Sequence, residues 1–243
     1  MNKIKKDSFL IKIPIAHRGL HSKEVPENSM PAFQSCIEAK YAIETDLRLT
    51  KDNQVVVFHD ETTKRMCGVD KKIIDMDLAD IKTLPLNNSG EKIPTLEEFL
   101  NLVDGKVGIL IEIKNEKNPG VLEDIVIAKL KNYTGEFAIQ SFNPKVIDYF
   151  RINAENFIRG QLACYFKREK LAFYKKFLLK RMFLNRKTKP DFISYCIKDI
   201  PNRFVKKYSN LPLLVWTVRT KQDLEKANIF TANVIFENPS IFW

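Results

Sequence analysis

The sequence predicts an α/β fold closed as a (β/α)8 TIM barrel, with a hairpin and insert after the second strand. Three observations carry that reading. Eight short β-branched runs alternate with helix-like patterns, which is the signature of repeated βα units and a parallel sheet. The chain has 243 residues, close to the roughly 250 that such a barrel occupies as one unit. Neither a fixed-period repeat nor a low-complexity linker interrupts it, so residues 1–243 are expected to form a single barrel domain.

The strand runs are Lys12–His17, Ala42–Asp46, Val107–Lys114, Phe137–Phe142, Phe157–Ala163, Asp191–Tyr195, Leu211–Val218 and Asn233–Glu237. Ahead of the first, Phe9-Leu10-Ile11 is broken by Lys12 and Pro14. A secretion signal needs about 7–15 apolar residues, so the segment reads as the approach to a first strand. Asn28 or Ser29 caps a helix that runs to Ala39. Thr95 opens Leu96–Val103 with Glu98 at capping-box spacing. Asn143-Pro144 starts another helix, with proline at its favoured first position. A ninth run, Val55–His59, returns from Leu47–Thr50 across the turn-rich Lys51-Asp52-Asn53-Gln54. Folding back about the 52/53 junction sets Asp46 opposite His59. Residues 61–92 then read as polar and irregular, completing an insert of about 47–92.

Composition narrows the class. Apolar residues make up 44% and charged residues 29%, which excludes a disordered chain. The apolar runs are short: Val107–Ile113 is already broken by Glu112, far below the ~20 residues of a membrane-crossing helix. Cys36, Cys67, Cys164 and Cys196 are scattered without a C-x-x-C pair, so reduced thiols and a cytoplasmic location are expected.

The net charge of +10 is unevenly placed, because residues 165–190 hold ten cations against one anion, Glu169. Phe166, Phe173, Phe177 and Leu184 fall near one line of a helix, which would support an amphipathic helix. Lys170 and Arg181 sit beside that line, however, and Leu179 and Phe183 lie well off it, so the pattern is blurred. The segment's lysines either face solvent or draw the barrel mouth toward an anionic membrane surface. Nucleic acid is not expected, since the aromatic platform of single-strand binders is missing.

The chemistry-bearing residues cluster by parity. Glu44 and Asp46 are two apart on a strand and share a face, as do Glu112 and Lys114, while Ile109, Ile111 and Ile113 point the other way. Barrel sites assemble at the C-terminal strand ends. Three acids converging there would repel one another unless a hard divalent cation, Mg2+ or Ca2+, neutralises them. His17 and His59 end β-runs at the same rim and suit proton transfer near neutral pH. Arg18 and Lys114 add fixed positive charge suited to a phosphate. His21 lies in a loop past the first strand and has no expected role.

These residues fall within a family pattern. His17-Arg18-Gly19, Pro26-Glu27-Asn28-Ser29, Glu44-Thr45-Asp46, Thr50-Lys51-Asp52, His59-Asp60-Glu61-Thr62 and Ile93-Pro94-Thr95-Leu96-Glu97-Glu98 occur in order. Glu112-Ile113-Lys114, Gln140-Ser141-Phe142 and Trp216-Thr217-Val218 continue it. The set resembles the glycerophosphodiester phosphodiesterase family, closely over residues 15–114 and more loosely beyond. The resemblance implies a TIM-barrel phosphodiesterase domain that hydrolyses glycerophosphodiesters to glycerol 3-phosphate and an alcohol. It makes His17 and His59 the acid/base pair, and Glu44, Asp46 and Glu112 the ligands of one divalent cation. Arg18, Lys114 and Trp216 become the phosphate- and substrate-binding residues, with Glu27 and Asn28 ordering the rim. Two departures concern the substrate: Arg219 stands where the family has Asn, and the last strand ends in Phe236-Glu237 rather than Thr-Asp. A lysophospholipase D-like or sphingolipid-cleaving phosphodiesterase acting on membrane lipids is the alternative.

Overall fold

The computed structural model describes residues 3–115, 117–167 and 171–243. Its strands are β1 (Ile15–His17), β2 (Ala42–Leu49), β3 (Val55–Val57), β4 (Ile109–Ile113), β5 (Phe137–Ser141), β6 (Arg159–Ala163), β7 (Phe192–Cys196), β8 (Leu213–Val218) and β9 (Asn233–Phe236). All but β3 are parallel and form the barrel, and β1 pairs with both β2 and β9, which closes the ring. β3 runs antiparallel beside β2. A short helix α1 (Phe9–Lys12) precedes the first strand. Between strands lie α2 (Met30–Ala39), α3 (Lys64–Cys67), α4 (Leu78–Thr83), α5 (Leu96–Val103), α6 (Val121–Leu130), α7 (Pro144–Asn153), α8 (Phe173–Lys180), α9 (Asn185–Thr188), α10 (Arg203–Lys206) and α11 (Lys221–Phe230).

The helix starts follow from their caps. Ser29 rather than Asn28 caps α2, and its hydroxyl accepts from the Ala32 amide. Thr95 and Glu98 make the reciprocal capping box, with Thr95 N donating to Glu98 Oε2 at 2.7 Å. Asn143 caps α7, and Pro144 occupies its first turn.

Strand alternation sorts the core into two layers. Ile43, Leu47, Ile109, Ile111 and Ile113 pack outward against Phe33, Phe99, Val126 and Phe150 of the helices. Ile15, Ala42, Leu110, Ala138, Phe192, Leu214 and Ile235 fill the barrel floor. Two glycines make room there. A Cβ at Gly160 would lie 2.1 Å from the Phe192 ring, and one at Gly108 would lie 2.2 Å from the Phe9 ring.

Phe9 belongs to a feature that the sequence pattern misplaces. The expected strand Lys12–His17 begins only at Ile15, and Phe9–Lys12 is a short helix. Phe9 and Leu10 join the floor cluster and plug the barrel from below. Asn233 Nδ2 donates to the carbonyls of Phe9 and Ile13, at 3.2 and 2.7 Å, tying the plug to β9.

The hairpin register is also shifted. Leu47 pairs with Val57 and Leu49 with Val55, so Asp46 sits opposite Phe58 rather than His59. The turn is centred on Asp52, with Thr50 N bonded to Gln54 O at 2.9 Å and Asn53 left-handed at φ 58°. An odd loop of this kind moves every pair by one relative to a junction between two residues. The insert after the hairpin is less irregular than its polar composition suggests. Met66, Ile73, Met76, Ile81 and Leu86 bury a separate small core against Val56, Phe58 and Ile93.

The aromatic stripe of the basic segment does not lie along one helix. Phe166 is buried beside the barrel mouth, whereas Phe173 and Phe177 lie on α8 and Leu184 lies beyond its end. Arg168, Glu169 and Lys170 fall outside the described residues. All four cysteines are free thiols. Among the described residues no helix is long and apolar enough to cross a membrane.

Candidate active site

At the C-terminal strand ends a cavity of about 510 Å3 opens. His17, Arg18, Glu44, His59, Glu112, Lys114 and Trp216 all line it. Asp46 lies directly behind them, with no exposed surface. Every residue that the sequence singles out as a candidate is thus gathered at one rim. His21 does not line the cavity.

The acids come from adjacent strands in matched register, with Asp46 beside Glu112 across β2 and β4. One oxygen each of Glu44, Asp46 and Glu112 lie within 4.8 Å of one another. Their electrostatics differ sharply. Burial, and then Asp46 and Glu112, push the Glu44 carboxyl well above its ordinary range. Burial alone would raise Asp46 too, but Lys114, His59 and Arg18 hold it far below. The Lys114 ammonium lies 3.1 Å from Asp46 Oδ1 and 2.7 Å from Glu112 Oε1. Asn28 steadies the other side, donating from Nδ2 to Asp46 Oδ2 at 3.0 Å while accepting from the Thr45 hydroxyl at 2.9 Å.

The donor set suits a hard cation, because it is all oxygen. Asp46 Oδ1 has the Lys114 ion pair as its contact. Gln140 Oε1, on the same wall, is buried with no hydrogen-bond partner among the described residues.

Each candidate proton carrier is held by a carboxylate that an arginine also grips. His17 Nδ1 lies 2.9 Å from Glu237 Oε1, and Arg219 clamps the same carboxylate through Nε and Nη2 at 2.5 and 2.7 Å. His59 Nδ1 lies 2.6 Å from Asp60 Oδ1, and Arg65 clamps Asp60 at 2.7 and 3.1 Å. A carboxylate partner sets the tautomer with the proton on Nδ1 and leaves Nε2 as the free nitrogen. Burial pushes the His17 imidazole down to about 4, so it is neutral at pH 7. Burial alone would raise Glu237, but the His17 bond and Arg219 bring it down to about 2.

The second of these chains continues into the acid cluster. Arg65 also binds Glu27 at 2.7 Å, Glu27 binds Arg18 at 2.8 Å, and Arg18 Nε reaches Asp46 at 3.4 Å. The Arg18 amide donates to Glu44 Oε2 at 3.1 Å. Glu27 and Asn28 therefore order the rim by direct bonds to the arginine and to Asp46.

The sequence pattern does not single out Glu237, Asp60, Arg65 or Arg219 as site residues. Glu237 figures there only as a departure, although closure of an eight-stranded ring makes the first and last strands neighbours and so brings it to His17. Also lining the cavity, Phe142 meets Trp216 edge to face at 5.4 Å. The Trp216 indole N–H is buried with no hydrogen-bond partner among the described residues.

Known proteins share both the sequence pattern and the fold. The model of the glycerophosphoryl diester phosphodiesterase family matches residues 17–238. A glycerophosphodiester phosphodiesterase of Caldanaerobacter subterraneus subsp. tengcongensis is 40% identical over 140 residues, 53% of this chain and 57% of that protein. The lysophospholipase D GDPD1 of Homo sapiens is 34% identical over 145 residues, 54% of this chain and 45% of its own length. The chain thus spans about half the length of these curated relatives. A phosphodiesterase of Oleispira antarctica, solved in complex with sn-glycerol-3-phosphate, superposes with a TM-score of 0.77 at 20% identity, over 93% of each chain, a likeness of fold. The chain belongs to the glycerophosphoryl diester phosphodiesterase family, a family of phosphoric diester hydrolases.

Proposed function

We propose that the chain hydrolyses glycerophosphodiesters to glycerol 3-phosphate and an alcohol. Glu44, Asp46 and Glu112 would hold one divalent cation, Mg2+ or Ca2+, and His17 and His59 would be the acid/base pair. The observation that carries this reading is the set of three carboxylates within 4.8 Å, in a cavity that both imidazoles line. A bound cation would polarise the phosphoryl oxygens and offset the charge gathering on them. The protein's own groups do the rest. Glu237 and Asp60 hold the Nδ1 protons of His17 and His59, so each Nε2 is free to take or give a proton. One ring, unprotonated at Nε2, would take a proton from the attacking water. The other, starting with a proton on Nε2 as well as Nδ1, would give it to the leaving alkoxide, so that the two rings exchange protonation states in each turnover. Lys114 and Arg18 supply positive charge that does not depend on pH near neutrality. Trp216 and Phe142 offer an apolar wall to the alcohol portion. The family match and the neighbour's glycerol-3-phosphate complex support the substrate class.

The test is hydrolysis of glycerophosphocholine by the wild type and by His17→Ala and His59→Ala. Each substitution is expected to lower kcat by at least about 100-fold with folding retained. Rates unchanged in either variant would remove that imidazole from the mechanism. A second reading, a lysophospholipase D-like enzyme, is favoured by the apolar wall and by the human relative. Preference for lysophosphatidylcholine over glycerophosphocholine would select it.

A further inference from the structure

α8 is built with its apolar side outward. On a helix, Phe173, Tyr174, Phe177 and Leu178 occupy one sector of about 140°, and all four are exposed. Phe173 is 83% and Tyr174 62% accessible. Leu179, opposite that sector, is half-buried, as are Lys176 and Lys180 along its Phe173 edge, and none of α8 is fully buried. Phe183 and Leu184, 56% and 42% exposed, extend the apolar surface toward α9. Ordinary packing would turn this helix round, because burying the aromatic sector removes apolar area from water.

Cations surround the surface. Lys175, Arg186 and Lys189 are exposed beside it, Lys187 is exposed and paired with Asp148 of α7 at 3.1 Å, and the described stretch from 171 to 190 itself contains no acidic residue. The Arg181 guanidinium stacks on the Phe177 ring at 3.4 Å and braces it. The surface also adjoins the catalytic mouth: Phe166 and Lys167, on the same β6–α8 connection, line the cavity.

We propose that this surface seats the molecule on a bilayer carrying anionic lipid head groups. Exposed aromatics flanked by lysine and arginine match the interface of such a membrane, where rings enter the head-group boundary and cations meet lipid phosphates. A second copy of the chain fits poorly, since a two-fold contact would set the same basic surface against itself. Seated this way, the cavity opens next to the lipid surface. This step relies on the hydrolase reading only for what the mouth does.

Co-sedimentation of the full chain with vesicles, without metal or substrate, tests the seat alone. Vesicles of phosphatidylcholine with about 30% phosphatidylglycerol are expected to pellet the protein at low salt, and phosphatidylcholine alone is not. The double substitution Phe173→Ser/Phe177→Ser is expected to weaken vesicle binding at least about tenfold while leaving the melting temperature and turnover of water-soluble glycerophosphocholine as in the wild type. No pelleting with anionic vesicles at low salt would overturn the proposal. So would equal pelleting of the double variant, or release from vesicles by a short oligonucleotide that binds equally well. Vesicle binding needs no turnover, so failure of the seat and failure of the hydrolase reading are separate results.

Discussion

At the scale of single residues, the arrangement turns on how His17 is held. Glu237 faces two donors, and its carboxylate is shared between the neutral imidazole N–H and the positively charged Arg219 fork. Glu237→Gln keeps the length but loses the charge that fixes the tautomer. We expect kcat to fall about tenfold or more, short of the ~100-fold or greater loss from removing the imidazole, with KM little changed. Steady-state kinetics on glycerophosphocholine read both constants. The same ring gives a stability prediction. Its folded pKa, about 4, lies below the ordinary 6.5, so on acidification the unfolded chain takes the proton first. The contribution is complete above about pH 6.5 and is lost progressively down to about 4. Glu237, depressed from 4.5 to about 2, loses its contribution in the lower window between those values. Melting temperatures are therefore expected to fall between pH 6.5 and 4 in the wild type and less steeply in His17→Asn. Equal slopes would contradict the buried neutral imidazole. Glu44, Asp46, Glu112 and Lys114 are legible in the sequence because two-residue spacing fixes their face. Glu237 is not, because its partner lies 220 residues away in sequence and only ring closure joins them.

At the scale of elements, the sequence marks where a strand or helix exists better than how it is offset. The capping box at Thr95 and Glu98 and the proline start of α7 form as their local chemistry requires. The β2–β3 hairpin forms too, but its three-residue turn moves the pairing by one, a choice that rests on Asn53 adopting a left-handed conformation. His59 still reaches the cavity because the chain leaves the ladder after Val57, and Arg48 Nε anchors the His59 carbonyl at 2.9 Å. α1 escapes the pattern because three apolar residues are too few to show a period, and its role as a plug depends on the floor it meets. That floor is tightly filled. Gly160→Ala would drive a Cβ to 2.1 Å from Phe192, so we expect a loss of about 1–3 kcal/mol, measured by chemical denaturation. A loss below the error of that measurement would show that the floor can relax.

At the scale of the molecule, the barrel brings strand ends from opposite termini of the chain to one rim and concentrates charge there. Three acids, two imidazoles and two fixed cations gather at a cavity whose acidic side is buried. Burial and the neighbouring Asp46 and Glu112 outweigh Lys114 and Arg18 at Glu44 and raise its affinity for a proton. A divalent cation would relieve that imbalance, and on this point the whole account rests. The most direct measurement is glycerophosphocholine hydrolysis by one preparation before EDTA, in EDTA, and after Mg2+ or Ca2+ is restored. Activity is expected to be lost in chelator and to recover with the added ion. Full activity in chelator would contradict it.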